Sequence, residues 1–135
     1  MPSRLARALT IVALFVVVGP LAGALVFSLI VTLTTMIDGD DVGLLFVYAT
    51  LAFLPLAYLI GGAQAAAVGL VTAVYAWRRG GAPALVPAAA ALVIGAVVAS
   101  RDHEQWDMTA TLIAVHVLSA LLCWALLRAV LPGWK

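Results

Sequence analysis

Few side chains in this 135-residue chain have the chemistry to move a proton or hold a ligand, and several lie deep inside apolar runs. His116, Ser119 and Cys123 stand at i, i+3 and i+7, so a helix through them shows all three on one face. Gln64 is the one amide equally remote from charge, and Tyr58 and Thr72 belong to the same run. An imidazole near a hydroxyl and a thiol is raw material for nucleophilic catalysis or a proton relay. An ionisable group inside a membrane segment is also a functional candidate by default. The competing reading is structural: a histidine bonded to an amide across two helices satisfies both groups, at ~0.6–2 kcal/mol. By helical rise Gln64 lies ~21 Å from Arg78, and His116 ~13 Å from Asp107. In a hydrocarbon core of ~30 Å these depths agree within one turn. Gln64, His116, Ser119 and Tyr58 are therefore the candidate intramembrane polar site.

The elements that must position them follow from the charges. Apolar residues make up 66% of the chain and charged ones 10%, with a mean hydropathy of +1.20. A soluble domain carries roughly 25% charged residues, and so short a chain cannot bury that much apolar surface in itself. Lipid must solvate most side chains. Uncharged runs of 30 residues between Arg7 and Asp38, and of 36 between Asp41 and Arg78, precede two shorter ones over 80–100 and 108–127. Each meets the ~20 residues a span needs. The expected fold is an all-α membrane protein, one domain over 1–135, with spans near 8–37, 43–77, 82–100 and 108–131.

Six bases (Arg4, Arg7, Arg78, Arg79, Arg128 and Lys135) fall on one side of this arrangement, and only Arg101 on the other. Short loops rich in Arg and Lys stay cytoplasmic, so both termini are expected inside and the acids Asp38, Asp40, Asp41, Asp102, Glu104 and Asp107 outside. The Ala, Val, Gly and Leu content, with one Lys to six Arg, suggests a GC-rich bacterial genome, hence the bacterial inner membrane, multi-pass. Ala22, Gly23 and Ala24 imitate a signal-peptide cleavage site. Cutting there would begin the chain inside the apolar run 25–37, so the first span is read as uncleaved.

The first two helices are expected to be long and kinked or broken, at Gly19 and Pro20 in one and at Pro55 or Gly61 and Gly62 in the other. Splitting the second run into two spans would place Arg78 and Arg79 outside, against the charge rule. A broken helix turns free backbone N–H groups inward, as transporters do toward substrates; a kink or a close packing contact uses the same residues. Gly61, Ala65, Gly69 and Ala73 recur every four residues and form one smooth stripe. Gly19 with Gly23, and Ala91, Gly95 and Ala99, repeat the device. Such stripes let helix backbones approach closely, within one chain or between copies.

The outer acids match no EF-hand spacing and read as solvated helix ends, and a lone Cys123 leaves no cysteine-only metal site. No Gly-rich phosphate loop, HExxH or nucleophile elbow is present. The bases are not clustered as nucleic acid would require. No cofactor and no metal are expected. The functional expectation is a non-catalytic accessory or scaffold subunit, with lipid bilayer around it and a homo-oligomer or larger membrane complex as its setting. The alternative is a small oligomeric channel or transporter with its polar site near Gln64 and His116. An intramembrane enzyme would rest on His116, Ser119 and Cys123 alone.

Overall fold

The computed structural model describes residues 3–39, 42–100 and 106–131. Four helices account for nearly all of them: α1 (Arg4–Ile37), α2 (Leu45–Arg79), α3 (Leu85–Ala99) and α4 (Trp106–Val130). No strand occurs among the described residues. Helices α1, α2 and α4 are long and apolar enough to cross a membrane, while α3 has 15 residues, ~22 Å of rise. Asp40, Asp41, Arg101, Asp102, Glu104 and Lys135 lie outside the described residues.

Local chemistry sets the boundaries. Ser3 caps α1, its hydroxyl accepting from the Ala6 N–H at 3.1 Å. Gly80 closes α2 in the left-handed region (φ 83°), its N–H donating to the Ala76 carbonyl at 2.8 Å. A side chain with a Cβ would be strained there, so glycine ends the helix and turns the chain toward α3. The third helix begins at Leu85 and not near residue 82, because the residue before Pro83 is pushed out of the helical region. Pro87 falls in its first turn, where a missing N–H costs nothing.

Of the expected kinks or breaks, the breaks do not occur. Both α1 and α2 run as uninterrupted helices through Gly19 and Pro20, and through Pro55, Gly61 and Gly62. Apolar surroundings offer exposed backbone groups no water, so a broken turn would leave several unsatisfied at several kcal/mol each. A proline removes one N–H, and a glycine costs only ~1 kcal/mol of helix propensity. Helix persists as the cheaper state. Next to Pro20 the Tyr58 hydroxyl donates to the Val17 carbonyl at 2.5 Å, so α2 supplies a donor at the turn that the proline weakens.

Contacts place the helices in a ring, α1 beside α2 and α4, and α3 beside α4 and α2. Arg7 reaching Gly80, and Trp124 reaching Ala82, bring four helix ends together. Neighbours are therefore antiparallel and the diagonal pair α2 and α4 runs parallel. The core of Ile11, Phe15, Val68, Ala73, Ala76, Ala91, Ala120, Cys123 and Leu127 occupies the half of the bundle nearer these arginines.

Candidate functional site

Above that core the bundle opens into a cavity of about 240 Å³. Its walls come from α1 (Gly19, Pro20, Gly23, Phe27), α2 (Phe53, Ile60, Gly61, Gln64) and α4 (Leu112, Val115, His116, Ser119), with Ala91 from α3. The small residues make the space. Gly61 has nothing within 4 Å of where a Cβ would stand. Phe27 and Phe53 meet edge to face, ring centroids 4.6 Å apart, and bridge α1 to α2 at the far end. Cys123 and Phe15 close the floor, both fully buried.

Inside this apolar wall the structure brings Gln64 and His116 together. Because α2 and α4 are diagonal, the pair crosses the centre of the bundle. The His116 Nδ1–H donates to the Leu112 carbonyl, one turn earlier on α4, at 2.7 Å. Its Nε2 contacts Oε1 of Gln64. A ring protonated on Nδ1 alone has a lone pair at Nε2 and requires a donor there. Amide oxygen and nitrogen are nearly isosteric, so a Gln64 turned end for end serves that neutral ring with an N–H. An oxygen facing Nε2 instead serves a ring protonated at both nitrogens. Gly95 of α3 backs the imidazole: a Cβ there would lie 3.6 Å from the His116 Cβ.

The other sequence candidates separate. Ser119 lines the cavity, but its hydroxyl donates to the Val115 carbonyl at 2.6 Å on its own helix, not to His116. Thr72 lies lower, buried, bonded to the Val68 carbonyl at 2.8 Å. Tyr58 is not part of the wall and serves Val17 instead. Gly19 and Pro20 contribute backbone and ring surface to the cavity.

The stripe on α2 divides in two. Gly69 is seated against Phe15, where a Cβ would come within 2.8 Å of the phenylalanine Cβ and 3.3 Å of the Val12 Cα. Ala65 abuts Gly19 at 3.1 Å by the same measure, and Ala73 is buried. Gly61, the fourth member, faces open space. One residue pattern therefore builds both a close α1–α2 contact and part of the cavity above it.

Three contacts, one in the cavity wall and two that tie the helix ends, carry no signal in the sequence pattern. Phe27 and Phe53 differ in depth by ~7 Å when counted up from Arg7 and Arg78, so helical rise does not pair them. Trp124 reads as an interface anchor, yet its indole N–H donates to the Ala82 carbonyl at 2.8 Å and ties α4 to the start of α3. The Arg7 contact with the Gly80 carbonyl, at 3.0 Å, depends on a loop geometry that only the fold supplies. Among the described residues no three of His, Cys, Asp and Glu converge as metal ligands would.

The arrangement is chemically modest. It joins two polar groups in an apolar space and offers no nucleophile beside a base. Comparison with protein-family models, with curated proteins and with solved structures finds no match to this chain.

Proposed function

We propose that this chain is a polytopic protein of the bacterial inner membrane that works without catalysis, as an accessory or scaffold subunit packed against partner helices. Both termini lie in the cytoplasm, and α3 completes the fourth span with its uncharged flanks, since the run over 80–100 supplies 21 residues. The observation that carries the reading is the Gln64 and His116 pair. The polar groups lining the cavity are used to hold the bundle, as they would be in a structural core, with Ser119 bonded to its own helix. A conducting pathway needs polar groups turned toward water, and Gln64 and His116 were the best candidates for that role.

The surface for a partner is on α2. Only 6% of its apolar span is buried within the chain, against 33% for α1 and 28% for α4. Leu51, Leu59, Leu70 and Val74 point away from the other helices, Leu59 being 81% exposed. A photoreactive amino acid in place of Leu59, activated in native membranes, is expected to give a discrete crosslinked protein band. A ladder ending at twice the chain mass assigns the partner to a second copy, and a heavier band to another subunit. Crosslinks to lipid alone at both Leu59 and Leu51 would overturn the proposal. Orientation is read separately, with Pro83→Cys and His103→Cys as single cysteines in a Cys123→Ala background. An impermeant thiol reagent on intact cells should label position 103 and spare position 83; the reverse pattern overturns the orientation.

A further inference from the structure

A second pocket, about 340 Å³, lies between the start of α1 and the end of α2, at the opposite end of the bundle from the Phe27 and Phe53 pair. Its rim holds four guanidinium groups, from Arg4, Arg7, Arg78 and Arg79. Arg7 is half-buried and fixed in direction by its bond to the Gly80 carbonyl, while Arg4, Arg78 and Arg79 are exposed. The floor is apolar, with Ile11 and Ala76 buried beneath it, and Trp77 stands at the side.

The acidic side chains lie elsewhere in the order of the chain. Asp38, Asp40 and Asp41 follow the far end of α1, and Asp102, Glu104 and Asp107 belong to the connection between α3 and α4 and the first turn of α4. Thirty-four residues of α1 separate Arg4 from Asp38, ~50 Å by helical rise and several Debye lengths at physiological salt. The helix dipoles cancel at this end, where two helices begin and two finish. What remains is a concave site with three exposed guanidinium-bearing residues, Arg4, Arg78 and Arg79, beside the Arg7 held at Gly80, over an apolar floor. Planar guanidinium forks match phosphate oxygens in pairs. Leu5 and Leu9 stand exposed on α1 beside the rim, as a path for an acyl chain, and a tryptophan at this level suits the bilayer interface.

We propose that this pocket binds the phosphodiester headgroup of an anionic phospholipid, held by Arg4, Arg7, Arg78 and Arg79 with its acyl chains descending along α1. Basic pockets between membrane helices recognise such headgroups by charge and fork geometry. The site would fasten one lipid to the ends of α1 and α2, where the two helices already share the Arg7 and Gly80 contact.

Native mass spectrometry of the full chain in a zwitterionic detergent tests this, with phosphatidylglycerol, phosphatidylcholine and inorganic phosphate titrated separately. One phosphatidylglycerol is expected to bind at least tenfold more tightly than phosphatidylcholine. Arg4→Gln with Arg79→Gln, both exposed positions, should remove most of that preference, while Arg128→Gln outside the pocket should leave it. A second measurement needs no variant. Phosphatidylglycerol carrying a photoreactive group near its headgroup should label peptides spanning 4–11 and 73–80 of the wild-type chain. Equal binding of the two lipids, a preference untouched by the double substitution, or labelling confined to other helices would overturn the proposal. Displacement of the lipid by millimolar inorganic phosphate would also overturn it, assigning the pocket to the free ion.

Discussion

The two halves of the bundle are made of the same residue types and pack in opposite ways. Near the arginines, Gly69 lets Phe15 lie against the α2 backbone, and five of the six buried residues of α2 fall between Val68 and Ala76. Eight residues before Gly69, Gly61 faces a void. Small residues permit close approach; they do not compel it. What decides is whether a large side chain on the facing helix stands at the right level to fill the space. Phe15 does so for Gly69. Opposite Gly61, α1 presents Gly19, Pro20 and Gly23 to the same cavity, while Phe27 beyond them is turned against Phe53. Tight packing below and a cavity above are thus one stripe of small residues with two different partners.

The sharpest way to break this comparison is to enlarge Gly69. Gly69→Leu should destabilise the bundle by ~1–3 kcal/mol through overpacking on Phe15, measured by unfolding in mixed micelles. Melting like wild type would mean the α1–α2 contact is not where the structure puts it. Next in size is the pair inside the cavity. Gln64→Ala and His116→Ala, singly and together, should give a coupling energy of ~0.6–2 kcal/mol by double-mutant cycle. Additive losses would show the two side chains acting independently. Tyr58→Phe removes only the hydroxyl that serves Val17 and should cost ~0.5–1.5 kcal/mol in the same assay. An unchanged melt would mean that the carbonyl beside Pro20 needs no donor from α2. The smallest effect, and the one that tests the comparison most directly, is Gly61→Ala. A Cβ there meets nothing within 4 Å, so the substitution should be neutral or gain up to ~1 kcal/mol from helix propensity. If it costs as much as the same change at Gly69, the stripe is tight throughout and the cavity is not a feature of the protein.

Particular residues show why some of this was legible early and some was not. Gln64 and His116 were singled out because polar groups are rare in these runs and depth follows from counting residues at a fixed rise. Counting gives depth but not azimuth, so it could not say that the pair lies on a diagonal, nor that the Ser119 and Tyr58 hydroxyls bond backbone carbonyls instead. Gly19, Pro20, Pro55, Gly61 and Gly62 suggested kinked or broken helices on local propensity, and the break is what the structure lacks. Propensity costs of ~1–3 kcal/mol lose to the penalty for stranded backbone groups in apolar surroundings.

The sequence by itself determined that the described residues are helical and apolar, and where the helices lie to within a few residues. Those properties depend on runs, periods and charges along one chain, each of which acts locally. Only the tertiary structure decided which small residues touch and which leave space, that Phe27 reaches Phe53, and that four arginines from two helices share one pocket. Such facts depend on the rotation and offset of one helix against another. Those are set by the summed fit of many side chains, each worth a fraction of a kcal/mol, so no single position in the sequence announces them.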